Sequence, residues 1–225
     1  MRYLAIHSTY DAVEIALCYN NAIQNRISSN KIHASAQSIP ALDALLKNQN
    51  LSIHDLTCIV AHVGPAPFTT LRVVLATVNG IQAATSIPLI GINGLDALMR
   101  QYQQPSYVTI CLLNAFNQDV YYAIDSTKKG CQNIKSFLAE IAATYPQQAL
   151  QFVGNGARMH HALITELFGS YAHLPDPLPD ICSLDQIQQD GFRAWHESKG
   201  QKTALIPCYL KSAAPLYTPG NSSAA

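Results

Sequence analysis

Charge is what this sequence has least of. Asp, Glu, Lys and Arg together make up 12 % of its 225 residues, roughly half the ~25 % usual in soluble domains. Fourteen Lys+Arg balance fourteen Asp+Glu, so the formal net charge is zero. Such a chain is no electrostatic nucleic-acid binder, because neutralising phosphates needs clustered cations. It is not disordered by composition either, since hydrophobic residues reach 48 % and supply ample material for a core. The six cysteines, Cys18, Cys58, Cys111, Cys131, Cys182 and Cys208, form no CxxC. Their spacing fits neither a zinc ribbon nor a small disulfide scaffold, which leaves buried free thiols in a reducing cytosol. No apolar stretch approaches the ~20 residues of a spanning helix. The opening apolar run is shorter than the ~7–15 residues of a signal-peptide core. A cytoplasmic protein without membrane association is expected.

Catalytic signatures are also missing. There is no GxxxxGK[ST], no HExxH and no GxSxG. Gly154-Asn155-Gly156 begins like a dinucleotide fingerprint, but Met159 stands where the third glycine belongs. It reads better as a backbone turn before a helix. His160-His161 is the one adjacent histidine pair, and neighbours on a helix point apart. His33 has Gln37, not a second histidine, four residues on. His7 sits in the first turn, where a neutral imidazole does not serve magnesium, which prefers hard oxygen ligands. Neither a metal nor a cofactor is expected.

What is present is alternation of period. Tyr3–Ile6, Val13–Tyr19 and Ile23–Ser28 read as an antiparallel meander, with Asn20-Asn21 supplying turn chemistry. Residues 32–48 switch to helical spacing through Ile32, Ala36, Ile39, Leu42, Leu45 and Leu46. Pro40 predicts a kink or restart there. Ser52 is a candidate cap for a short turn. Thr57–Val63 is a buried strand that ends in the rigid turn Gly64-Pro65-Ala66-Pro67.

A helix over Phe68–Ser86 follows. Leu71, Leu75, Val78 and Gln82 mark one side; Val73, Ala76, Thr77, Gly80 and Ala84 mark the other. Small residues at 76, 80 and 84 let another helix come close. A helix apolar nearly all round is covered on both sides, by its own domain or by a partner.

Pro88–Ile92 reads as a strand and Gly94–Gln103 as a short helix, with a boundary at residues 103–106. Further strands are expected at Tyr107–Leu113, Val120–Ile124, Gln151–Val153 and Pro207–Lys211, and helices at Ile134–Ala143, Arg158–Phe168 and Ser183–Ser198. Residues 173–180, with three prolines, are irregular. Strands leading helices in both halves give an α/β fold with a coarse echo between the halves.

Three segments carry a family resemblance. The opening Met1-Arg2-Tyr3-Leu4-Ala5-Ile6-His7-Ser8-Thr9 is one. His33-Ala34-Ser35-Ala36-Gln37-Ser38-Ile39-Pro40-Ala41-Leu42-Asp43 is the second, and Gly64-Pro65-Ala66-Pro67-Phe68-Thr69-Thr70-Leu71-Arg72 the third. Together they resemble the TsaB family, accessory proteins of bacterial tRNA threonylcarbamoyladenosine synthesis. Ile87-Pro88-Leu89-Ile90-Gly91, Val120-Tyr121, Gly154-Asn155-Gly156-Ala157 and Pro207–Lys211 continue it. The chain departs from the family pattern at several points. His7 stands where acidic residues are common. Ala66, Pro67 and Thr70 stiffen a glycine-rich loop. Asn114-Ala115-Phe116 replaces an Asp-Ala-Arg.

The resemblance implies a two-lobed actin/hexokinase-type fold of mixed sheets that start with antiparallel strands. It divides the chain into an N-terminal lobe over residues 1–104, which carries the partner-binding helices, a smaller C-terminal lobe over 105–214 and a disordered tail over 215–225. It implies a non-catalytic subunit that binds a TsaD-like catalytic subunit through His33, Ala36, Gln37, Pro40, Phe68, Thr69, Arg72, Ala76 and Gly80. A TsaE-like ATPase is the implied regulator, and tRNA would be met indirectly. Alone, the same surface is suited to a homodimer. Arg72, the one cation of its helix, is either capped locally or reaches across the interface. The alternative within this fold is an ATP-dependent phosphotransferase or ATPase. A metallopeptidase reading finds no paired metal ligands.

Overall fold

The structure, a computed structural model, describes residues 1–124 and 128–211. The expected tail over 215–225 lies outside the described residues. Among the described residues ten strands form two five-stranded mixed sheets. The first holds β1 (Arg2–Ser8), β2 (Ala12–Tyr19), β3 (Ala22–Asn30), β4 (Cys58–Gly64) and β5 (Leu89–Asn93) in the order β3-β2-β1-β4-β5. The second holds β6 (Val108–Asn114), β7 (Asp119–Ile124), β8 (Lys128–Asn133), β9 (Leu150–Val153) and β10 (Ala172–His173) in the order β10-β9-β6-β7-β8. The wiring of the two is the same. Each begins with an antiparallel meander and adds two parallel strands beside its first strand.

Seven helices connect them among the described residues: α1 (Ala34–Lys47), α2 (Phe68–Thr85), α3 (Gly94–Tyr102), α4 (Ile134–Thr144), α5 (Asn155–Met159), α6 (His161–Phe168) and α7 (Leu184–Ser198). Strand alternation sorts the core into layers, because successive side chains leave opposite faces. On β1, Leu4 and Ile6 join Leu42, Leu45, Leu71, Leu75 and Val78 of α1 and α2. Tyr3 and Ala5 face the other way, into a second cluster with Leu95 and Leu98 of α3 and Ile187 of α7. That cluster also takes Cys111, Leu113 and Val153 from the second sheet, so it joins the two halves. The far face of the second sheet packs Phe137, Leu138 and Ile164 of α4 and α6.

Of the kink or restart expected at Pro40, the restart does not occur: Pro40 lies inside α1, which runs from Ala34 to Lys47. Residues 207–211 form no strand. Pro207 has no N–H to give a ladder, and the segment is instead tied piecemeal: the Cys208 N–H donates to the Val63 carbonyl at 2.7 Å and Lys211 Nζ to the Ala115 carbonyl at 3.2 Å. Helix α7, from the second half of the chain, packs on β1, β4 and β5 of the first sheet. Gly191 permits this close approach, since a Cβ there would run into Val60 of β4. A buried charge cluster locks α7 to α3. Asp190, 3 % exposed, accepts from Arg100 Nε at 2.9 Å and Nη2 at 2.7 Å, and from Gln186 Nε2 at 3.0 Å.

Candidate docking surface

Helix α1 starts from a single 3-10 turn, Lys31–His33, in which the Asn30 side chain accepts from the Ile32 N–H at 3.0 Å. Its inward face is Ala34, Ser38, Ala41, Leu42, Leu45 and Leu46. His33, Ala36, Gln37 and Pro40 are exposed and follow i, i+3, i+4, i+7 spacing, so they make one outward row. Pro40 has no N–H, which leaves the Ala36 carbonyl in that row without its helical donor.

Helix α2 buries Thr70, Leu71, Val74, Leu75 and Val78. Phe68, Thr69, Arg72, Ala76 and Gly80 are exposed, as are Ala83 and Ala84. Among the described residues, and apart from its own stretch of helix backbone, no atom lies within 4 Å of the position a Gly80 Cβ would take. The small-residue side of α2 is therefore not sealed inside the protein's own core. Since α1 and α2 pack against each other on one face of the first sheet, their outward rows share one side of the molecule. All nine candidate residues lie in them. At the carboxyl ends of both helices the surface dips into a groove of about 420 Å³ lined by Ile39, Leu42, Leu46, Ile81 and Ala84 among others.

Charge is scarce on this side. Asp43 and Lys47 pair with each other at 2.8 Å. The Arg72 guanidinium carbon sits 3.6 Å from the Phe68 ring centroid, and its Nε donates to the Tyr209 hydroxyl at 2.9 Å. The Phe68 and Tyr209 rings lie 5.7 Å apart at 30°. Arg72 is thus held locally, by a residue 137 positions away that sequence spacing gives no means of finding.

A second polar cluster lies buried between the sheets. His7, fully buried, has Nδ1 3.3 Å from Glu14 Oε2 and Nε2 3.8 Å from Cys182 Sγ. His62 lies edge-on to it with ring centroids 4.9 Å apart, and its Nδ1 is 2.9 Å from the Ser8 carbonyl. Burial, and then the neighbouring His7, push the His62 imidazole down to about 3. His62 Nε2 and Ser8 Oγ have no hydrogen-bond partner among the described residues. The reading of the sequence named His7 but not His62; only their contact reveals the pair. An adjoining cleft of about 300 Å³ is lined by Tyr10, Glu14, Asn155, Arg158 and Asp180 among others. Arg158 and Asp180 pair there at 2.6 Å, and the Tyr10 hydroxyl donates to the Asn114 carbonyl at 2.7 Å. Among the described residues no three or more His, Cys, Asp or Glu side chains converge as a metal cage, and no helix is long and apolar enough to cross a membrane.

Comparison with known proteins gives the relatives of this chain. The family model described as "TsaD: tRNA N6-adenosine threonylcarbamoyltransferase" matches residues 23–183. A Bacillus subtilis protein, "tRNA threonylcarbamoyladenosine biosynthesis protein TsaB", is 23 % identical over 223 residues, covering 95 % of each chain. The Buchnera aphidicola protein of the same name is 23 % identical over 124 residues, 53 % of this chain and 55 % of that one. The alignment thus spans about half the length of the Buchnera relative and nearly all of the Bacillus one. Among solved structures, YeaZ from Pseudomonas aeruginosa superposes with a TM-score of 0.66 at 20 % identity, covering 93 % of this chain and 99 % of that one. The last likeness is one of fold: two mixed α/β sheets in the two-lobed actin/hexokinase-type arrangement.

Proposed function

The chain belongs to the TsaD-type family of tRNA threonylcarbamoyladenosine proteins, on its TsaB branch, and from that membership we propose that it is a non-catalytic subunit of tRNA threonylcarbamoyladenosine synthesis. It binds a TsaD-like catalytic subunit through the outward rows of α1 and α2. The catalytic subunit transfers the threonylcarbamoyl group to the adenosine beside the anticodon, and this chain is required for that transfer without touching the reacting atoms.

One observation carries the reading. Two adjacent helices turn a face of mostly small and apolar residues, with little charge, to solvent, with Ala76, Gly80 and Ala84 at helical contact spacing and Phe68 54 % exposed. A single-domain protein gains nothing from leaving such a face bare, whereas a helix pair from a neighbour buries it at close range. The near absence of charge there fits an interface core, where charged residues are depleted. The lobe over residues 1–104 supplies the face. A TsaE-like ATPase acts on the assembled pair, and tRNA is held by the catalytic subunit. The work takes place in the cytoplasm. Without its partner, the protein covers the face with a second copy of itself.

Reconstitution tests this. Purified protein, the TsaD of the same cells and the enzyme that supplies the threonylcarbamoyl group are mixed with unmodified tRNA. Modification should require all components, and the two chains should co-elute. Modification at full rate without this chain, or turnover of threonylcarbamoyl transfer by this chain alone, overturns the proposal.

A further inference from the structure

The guanidinium of Arg72 is presented, not merely exposed. Its plane rests on Phe68, with the central carbon 3.6 Å from the ring centroid, and Nε is committed to the Tyr209 hydroxyl at 2.9 Å. Tyr209 is itself fixed from the preceding residue, whose N–H donates to the Val63 carbonyl at 2.7 Å while its Sγ accepts from Asn93 Nδ2 at 3.3 Å. No hydrogen bond or ion pair among the described residues engages the two terminal nitrogens of Arg72. An arginine held by its face and its inner nitrogen offers the outer edge of its fork, and that edge matches a carboxylate with two parallel hydrogen bonds. Most of the rotamer entropy such a contact would cost is already spent.

An independent feature of the same helix has the same sign. Helix α2 is preceded by Pro67, which gives no side-chain cap, and has no acidic residue in its first turn. Its positive end and unpaired first-turn amides are left without an anionic group.

Resting on the docking reading above, we propose that Arg72 is the specificity-determining residue of the surface. It receives one carboxylate that the partner protein presents from within an otherwise apolar, small-residued helix face. Phosphate is the other common ligand of an arginine fork. A nucleic-acid backbone, however, brings a run of charges and needs clustered cations, while α2 carries one arginine and is flanked by Ala76 and Gly80. A second copy of this chain covers the face without supplying that carboxylate, because Asp43, the acid of these two helices, is already paired with Lys47. Arg72 therefore favours a different protein over self-pairing. Tyr209 is a positioning residue that acts through Arg72.

The test measures the affinity of the full chain for full-length TsaD from the same cells, with dissociation rates, at two salt concentrations. Arg72→Gln should weaken binding about 10-fold to 100-fold, the range of a lost charge-assisted hydrogen-bond pair. Arg72→Lys keeps the charge but not the fork or the stack, and should recover less than half of that loss on a logarithmic scale. Tyr209→Phe should weaken binding about 3-fold to 10-fold, as expected for one neutral hydrogen bond, mainly through faster dissociation. Arg72→Glu should be restored by one Asp or Glu to Arg change on the partner. All these positions are exposed or half-exposed, and unfolding curves check that each variant is folded. If Arg72→Gln and Arg72→Lys both bind within twofold of wild type while Gly80→Leu still breaks the complex, the carboxylate inference falls and the docking reading stands. If Gly80→Leu is silent as well, both fall. If Arg72→Gln spares the protein pair but loosens tRNA from the assembly, the fork serves a phosphate and the inference is overturned.

Discussion

Replacing Gly80 with leucine separates folding from docking, because the two should move in opposite directions. Among the described residues the new side chain meets nothing beyond its own helix, since no other atom lies within 4 Å of its Cβ position. Glycine in a helix interior costs about 0.8–1.0 kcal/mol relative to good helix formers. Gly80→Leu should therefore stabilise the lone protein by up to about 1 kcal/mol. That raises Tm by about 2–4 °C for a chain of this size. At the docked face the same atoms fill the space that lets a neighbouring helix approach. Forcing extra methylenes into a packed contact costs about 1–3 kcal/mol, so the dissociation constant for the catalytic subunit should rise about 5-fold to 150-fold. Calorimetric titration and a thermal melt on the same preparation read both signs. A higher Tm with an unchanged affinity refutes the reasoning, because it means the small-residue row is not part of the contact.

Four further outcomes follow from the core. Arg100→Ala strands the buried Asp190 carboxylate, which keeps only Gln186 and the more distant Arg193 at 3.3 Å, and should cost about 3–5 kcal/mol in denaturant unfolding. Gly191→Ala drives a methyl group into Val60 and should cost about 1–3 kcal/mol by overpacking. For His62, pushed down to about 3 from an ordinary value of 6.5, the unfolded chain binds the extra proton first. Stability is therefore intact above pH 6.5 and is lost as pH falls from there towards 3, at up to about 1.4 kcal/mol per pH unit. A Tm–pH series in which His62→Gln shows the same acid slope as wild type would contradict this. Burial raises the thiols of Cys18 and Cys58 to about 12 and holds those of Cys111 and Cys182 well above the ordinary thiol range. Native protein at pH 8 should react with a thiol reagent at no more than Cys131 and Cys208, and at all six after unfolding.

Local chemistry made much of this fold legible. The meander followed from apolar runs separated by Asn20-Asn21, and Asn20 indeed takes the left-handed backbone, at φ 50°, that its amide side chain tolerates. Ser183 was readable as a cap and accepts from the Gln186 N–H at 3.1 Å. Strand β8 was not readable. Its sequence Lys-Lys-Gly-Cys-Gln-Asn is that of a polar edge strand, which has no buried face to impose alternation. Strand β10, two residues long, gave no periodic signal at all. The outward rows of α1 and α2 were legible because exposed and buried positions on these helices follow helical spacing. The setting of Arg72 was not, since Phe68 is one turn away but Tyr209 arrives from the end of the described chain. The buried His7–His62 contact was equally hidden, joining β1 to β4 across 55 positions of sequence.

The tie at residues 208–211 sets a limit on how far the two halves can swing. Cys208 is anchored to β4 of the first sheet, and Lys211 to Asp119 of the second at 2.7 Å. Three peptide links, about 10–11 Å at full stretch, and the Lys211 side chain are all that lie between these anchors. Any hinge motion wider than that must first release one end. The same few residues place Tyr209 against Arg72, so the angle between the halves and the posture of the arginine are mechanically geared to each other.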